Sequence, residues 1–171
     1  MKNKKLLTAI AVLSAFVIIL GYLNMKDMDK SSLEEGNIRI ISGENATTLN
    51  FEEITALPHH DFKAVEDTSS SGPASRKYKG VLLRDVLNKA SIDNEAITAA
   101  SKVFVKGLDG YVIALAAEEV LADKGIYLAF EKNGKPLGNM KNGGSGPFQL
   151  IAVTDSFSQR WCKYVFEVSL E

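Results

Sequence analysis

Apolar and polar positions divide the chain into three regimes. Residues 6–23 (LLTAIAVLSAFVIILGYL) form an apolar run without a charge. Residues 24–36 (NMKDMDKSSLEEG) are polar and read as a tether. Over residues 37–171 short apolar segments alternate with turn residues, the pattern of a folded domain. Within it, residues 37–41 predict a strand that ends in the turn Ser42-Gly43-Glu44-Asn45. Asn50 is placed to cap a short helix over 51–57, with Glu52 and Glu53 in its first turn and Pro58 after its end. Residues 60–65 predict a strand, and 66–79 a polar loop rich in Ser and Gly. From Gly80 the strongest helical pattern begins, with Val81, Leu82, Leu83, Val86, Leu87 and Ala90 in an apolar stripe.

Strands over 102–105 and 111–115 meet at Leu108-Asp109-Gly110, a hairpin signal. A short helix over 116–121 follows, and a strand over 126–131 runs into Asn133-Gly134, a second hairpin signal. After a Gly- and Asn-rich loop at 138–146, residues 148–153 and 161–170 supply the last strands. Strands outnumber helices and several pair through short turns. The predicted class is α+β, with a mixed, largely antiparallel sheet and short helices.

The apolar run follows Lys2, Lys4 and Lys5. Its 18 residues reach about 27 Å as a helix, against a hydrocarbon core of about 30 Å. Leu23-Asn24-Met25-Lys26 offers no small-residue cleavage site, which favours an uncleaved anchor over a signal peptide. The lysines keep the N-terminus cytoplasmic and place the rest outside the membrane. If the segment were cleaved, the domain would be secreted. Residues 1–23 hold three of the 20 basic residues and none of the 21 acidic ones, so the remainder carries a net charge of −4. That balance argues against a nucleic-acid partner. A single cysteine permits no internal disulfide, and no Cys/His cluster suggests zinc or haem attachment.

Six segments, in order, resemble the oxidoreductase molybdopterin-binding family, the sulfite-oxidase fold. They are Ile40-Ile41-Ser42-Gly43 with Phe51 to Pro58, then Tyr78 to Leu87, then Asp109-Gly110-Tyr111. Asn133-Gly134-Lys135-Pro136-Leu137, Gly146 to Ile151, and Trp161 to Val165 complete the series. The resemblance covers about the last 130 residues and implies a molybdopterin-type pterin as cofactor. It also implies a cysteine just after the strand that contains Phe62 to Val65, where this chain reads Glu66-Asp67-Thr68-Ser69-Ser70-Ser71-Gly72. A soft thiolate is the donor such a metal wants, and a hydroxyl replaces it poorly. Gln149 stands where the family carries an arginine. These departures speak against cysteine-anchored molybdenum and leave the pocket.

Candidate cofactor-binding residues follow from the resemblance. Thr68, Ser69 and Ser70 lie in a run suited to cradle an anion, although Ser/Gly runs are more often plain loops. Asp109 and Tyr111 flank a turn glycine, which hairpin chemistry alone also explains. Lys135, Lys141, Arg160 and Lys163 are the cations nearest the family-like segments, and Lys163 aligns with the family's closing lysine. Gly146, with Gly143 and Gly144, permits close approach of backbone to a ligand. Period-2 spacing puts Cys162 with Tyr164, Phe166, Val168 and Leu170 on one apolar face, where a thiol is inert. His59 and His60 point to opposite faces of a strand and do not share a metal. No catalytic residue is evident.

Three functions are compatible with this sequence. One is an exported domain that binds a pterin-like or other small anionic ligand without cysteine-anchored molybdenum catalysis. Another is a molybdopterin-dependent oxidoreductase with a non-cysteine metal site. The third is a cofactor-free adaptor for an exported redox partner.

Overall fold

Among the described residues, alternating burial produces ten strands, arranged in two sheets that share one core. The computed structural model describes residues 13–16, 36–68 and 72–171. The chain divides into two units, Met1–Ser31 and Ser32–Glu171. In the first, residues 13–16 form a helical turn with Leu13 and Phe16 exposed. The rest of the apolar run, and the tether up to residue 35, lie outside the described residues. No helix among the described residues is long and apolar enough to cross a membrane.

In the second unit, β1 (Ile38–Ser42) and β2 (Asn45–Leu49) form a hairpin. The first sheet has the order β2-β1-β10-β5-β6, with β5 (Val103–Gly107), β6 (Val112–Leu115) and β10 (Val165–Leu170). The β1–β10 pair is parallel, whereas β10–β5 and β5–β6 are antiparallel. The second sheet runs β3 (His59–Thr68), β4 (Gly72–Leu82), β7 (Ile126–Lys132), β8 (Lys135–Pro136), and β9 (Gln149–Ala152) also pairs with β7. All of its pairings are antiparallel. The mixed, largely antiparallel α+β class read from the sequence is the class observed.

Helix α1 (Phe51–Thr55) is closed by a reciprocal capping box. The Asn50 side chain accepts from the Glu53 N–H at 2.9 Å, and the Glu53 carboxylate accepts from the Asn50 N–H at 2.9 Å. Helix α2 (Leu83–Lys89) starts three residues after the expected Gly80, because Gly80, Val81 and Leu82 still pair with β7. At Gly80 the β4 backbone lies tight against β7: a Cβ there would lie 2.5 Å from the Leu128 carbonyl oxygen. Helix α3 (Asn94–Ala99) has no apolar stripe and was not expected; the Asp93 side chain caps it by accepting from the Ala96 N–H at 2.8 Å. Helix α4 (Ala117–Leu121) completes the set.

One core cluster draws on both sheets and all four helices, with Ile38, Ile54, Leu87, Ile97, Val120, Leu128 and Val168 among its fully buried members. Each such side chain contributes about 1.5–3 kcal/mol of burial. A second cluster covers the opposite face of the second sheet: Ala64, Tyr78, Ala129, Leu137, Ile151 and Trp161, with Phe62 and Val153 partly buried beside it. This outer face forms because β3 and β4 make a long hairpin where the sequence suggests a polar loop. Ala64 pairs with Arg76 and Glu66 with Ala74, so the polar stretch is ladder-bonded and alternates its side chains.

Candidate functional site

The outer face of the second sheet grades from apolar to charged. Phe62 stacks on Tyr127 and Tyr78, with ring centroids 4.3 and 5.8 Å apart, and Tyr78 meets Trp161 edge-on at 5.7 Å. Beyond these rings the same face carries Glu66 from β3, Arg76 from β4 and Lys132 at the end of β7. There a cleft of about 440 Å³ opens, lined by Glu66, Lys132, Asn133, Lys135, Leu137, Gly143, Gly144, Ser145 and Lys163 among others.

Each wall has a local cause. Asn133 and Gly134 both have positive φ (52° and 76°), the backbone of a tight primed turn that brings β8 back along β7. That turn sets Lys132 and Lys135 as direct partners across the ladder. The Asn133 carboxamide oxygen accepts from the Lys77 N–H at 3.2 Å, which fixes the turn to β4. The glycine-rich loop is pinned from the opposite side by Tyr164. Its hydroxyl donates to the Gly144 carbonyl at 2.6 Å, and its N–H donates to the Ser145 carbonyl at 3.1 Å. Tyr164 has φ 53°, a costly conformation for a bulky side chain. This twist breaks the expected alternation after Cys162: Cys162 and Val165 both enter the core, and Lys163 between them faces the cleft.

The charges are unbalanced. Lys132 Nζ donates to both Glu66 oxygens at 2.8 and 2.7 Å. Lys135 and Lys163 make no ion pair or side-chain hydrogen bond with the described residues. Three ammonium groups and one carboxylate therefore line the cleft. Below it the Tyr78 hydroxyl is buried without a partner among the described residues, as are Trp161 Nε1 and Gln149 Oε1. Burial first, and then the Glu66 carboxylate, push the Tyr78 pKa well above the ordinary phenol value.

Of the residues expected at the site, Lys135, Lys163 and the neighbouring Gly143 and Gly144 come together here. Thr68 pairs with Gly72 at the end of the hairpin, two residues beyond Glu66; Ser69 and Ser70 lie outside the described residues. Gly146 is buried against Leu137 and donates its N–H to the Gly138 carbonyl. The amides of Gly143, Gly144 and Ser145 are likewise bonded to Met140, Asn139 and Leu137 carbonyls. They are committed to holding the loop and are not free donors for a ligand. Asp109 and Tyr111 do not line the cleft. The Asp109 carboxylate accepts from the Tyr111 N–H at 3.1 Å, and the Tyr111 hydroxyl donates to the Gln159 carbonyl at 2.6 Å.

Arg160 is consumed by carboxylates. It donates to Asp155 at 2.9 and 2.6 Å and to Glu119 at 3.2 and 2.7 Å. Hydrogen bonds to Asp155 and then Glu119 raise its pKa further, and the Arg160 hydrogen bond is the main cause of the lowered Glu119 pKa. It ties the 153–161 segment to α4 instead of reaching the cleft. Lys141 is exposed on the 3₁₀ turn Met140–Asn142 and does not line the cleft. Glu66, Lys132, Asn133 and Ser145 line the cleft but were not singled out from the sequence. For Glu66 the readable signal was its even spacing from Phe62 and Ala64.

Cys162 is fully buried, and its thiol faces the Tyr111 and Lys163 carbonyls at 3.8 and 3.7 Å. Burial, with a smaller contribution from Asp109, pushes its pKa up to about 12. His59 and His60 are exposed on opposite faces, His59 edge-on to Phe130 and His60 to Tyr127. Among the described residues no group of three or more His, Cys, Asp or Glu side chains is placed to hold a metal.

A two-sheet α+β domain with a cation-lined cleft on the outer face of one sheet is what the geometry defines. The chain belongs to the oxidoreductase molybdopterin-binding domain family, whose model matches residues 37–171. Among solved structures it is similar to the sulfane dehydrogenase SoxCD from Paracoccus pantotrophus, at 21% identity and a TM-score of 0.62. That match covers 78% of this chain and 37% of that one, so the chain spans little more than a third of its length. The likeness shows the fold. No curated protein matches the chain.

A molybdopterin cofactor would ask two things of these residues. Cations for its anionic portion are present, since Lys135 and Lys163 line the cleft unpaired among the described residues. A soft sulfur donor for the metal is not, because the chain's one cysteine is buried with its thiol turned to backbone carbonyls. The residues fit the anion and do not fit thiolate-held molybdenum.

Proposed function

We propose that this is an exported, membrane-tethered domain whose cleft binds a small anionic, pterin-like ligand without cysteine-anchored molybdenum catalysis. The observation that carries the reading is the pairing of two uncompensated lysines, Lys135 and Lys163, with a cysteine locked in the core. Ammonium groups are point-charge donors suited to phosphate oxygens. The Ser145 hydroxyl lies beside them, and the Asn133 amide nitrogen remains free to donate while its oxygen holds Lys77. The apolar run and its flanking lysines are what support export. Elemental analysis and redox assays of the chain, exported from a host that makes molybdopterin, test the proposal. Bound organic anion without molybdenum is the expected result. Stoichiometric molybdenum with turnover of an oxidisable or reducible substrate would refute it.

The adaptor reading draws on a different observation. Leu108, Tyr111 and Val112 are exposed together on the β5–β6 hairpin, a surface suited to a protein partner. Loss of partner capture on changing all three to serine, with anion binding intact, would favour it.

A further inference from the structure

Large apolar side chains are exposed at one end of the first sheet. Thr48, Arg39, Glu167, Lys106 and Val112 pair in turn and form one row across all five strands. Beyond that row lie Gly36 ahead of β1, Phe51 after β2, Tyr164 ahead of β10, and Leu108 to Tyr111 between β5 and β6. Phe51, Leu108, Tyr111, Val112 and Phe157 are between 40% and 54% exposed. Phe157 joins this end through the 3₁₀ turn Ser158–Arg160, whose Gln159 carbonyl accepts from the Tyr111 hydroxyl at 2.6 Å. The Leu108 N–H donates to the Tyr164 carbonyl at 3.0 Å, which holds the β5–β6 turn to the start of β10. The polar tether ends at the same place: a Cβ on Gly36 would lie 3.1 Å from the Phe51 Cβ.

We propose that this end of the domain rests on the lipid surface, with Leu108, Tyr111, Val112 and Phe157 entering the headgroup region of the bilayer. This rests on the reading of residues 6–23 as a membrane anchor. The 13 residues of 24–36 span about 20 Å as a flexible chain and about 45 Å fully extended. A domain of this size is about 35 Å across. To lay the opposite end on the bilayer, the tether would have to run the length of the domain, close to its limit. The end that carries the apolar side chains is the one it reaches unstretched. The tether also keeps these side chains at about millimolar effective concentration beside the lipid, so a few apolar contacts suffice. The chain beyond residue 23 has a net charge of −4, so the contact is apolar and is not an attraction to anionic lipid.

The test reconstitutes the full chain, with Cys162→Ala, in phosphatidylcholine vesicles whose brominated acyl chains quench a fluorophore on contact. Three separate samples carry the fluorophore through Leu108→Cys, through Glu44→Cys in the exposed β1–β2 turn at the opposite end, and through Ser14→Cys in the apolar run. The Leu108 and Ser14 positions should lose fluorescence and the Glu44 position should keep it. Raising salt from about 0.01 M to about 1 M shortens the screening length from about 30 Å to about 3 Å and should leave the loss at position 108 unchanged. Val112→Ser with Phe157→Ser changes two exposed side chains, keeps the fold, and should abolish that loss. Quenching at position 108 that salt removes, or that survives the double substitution, overturns the apolar contact. If position 14 is quenched and position 108 no more than position 44, the anchor stands and the docking falls, which leaves the hairpin to a protein partner. If position 14 is not quenched, the anchor itself is wrong and the proposal fails with it.

Discussion

The state of Cys162 yields a measurable rate. An ordinary thiol has a pKa near 8.5, so at pH 8 about a quarter of it is the reactive thiolate. Cys162 is fully buried and its pKa is pushed up to about 12. At pH 8 its thiolate fraction is then about one in ten thousand. An aromatic disulfide reagent should label the native chain at least about a thousandfold more slowly than the same chain in denaturant, before steric shielding adds to the difference. The sign of the pH effect on stability also follows. The unfolded thiol ionises first, so the stabilising contribution of the neutral buried thiol is complete below about pH 8.5 and is lost as pH rises towards about 12. Each pH unit in that window costs about 1.4 kcal/mol, a slope that Cys162→Ala should remove. The assay is the release of the reagent's chromophore with and without denaturant, followed by urea melts at pH 8 and pH 10. Labelling of the native chain at the rate of a free thiol would refute the assignment and reopen the thiol as a ligand.

Further substitutions separate walls from ligands. Gly80→Ala pushes a methyl into the Leu128 carbonyl, where backbone cannot yield, and should cost about 1–3 kcal/mol by denaturant unfolding. Tyr164→Phe removes the 2.6 Å bond to the Gly144 carbonyl; it should cost about 1 kcal/mol and weaken phosphate binding through the loosened loop, as calorimetry would register. Arg160→Ala should lower stability and leave phosphate affinity unchanged. The wild type loses stability as pH falls through the lowered Glu119 pKa, because that carboxylate is favoured ionised only in the fold. This acid sensitivity should shrink in Arg160→Ala, measured by melts between pH 3 and pH 6.

What the sequence revealed and what it hid have physical reasons. The Asn50 capping box and the Asn133-Gly134 turn are local: neighbours along the chain satisfy one another, so spacing alone exposes them. The β3–β4 hairpin is not local in that sense. Its polar residues are held by ladder bonds and by Lys132, which lies 66 positions from Glu66. Composition therefore read that stretch as a loop. Helix α3 lacked a stripe because only Ile97 among its residues is buried. Lys163 was legible through family likeness. Arg160 was misplaced because the carboxylates that claim it, at Asp155 and Glu119, come from a loop and a helix brought together only by folding.

In the proposed state the cleft holds an anion and the chain holds no thiolate-bound molybdenum. Native mass spectrometry of the full chain, exported from a host that makes molybdopterin, tests it most directly. The expected result is a mass excess belonging to a metal-free organic anion, lost when Lys135 and Lys163 are both changed to alanine. A mass excess that contains molybdenum in one-to-one proportion would contradict it.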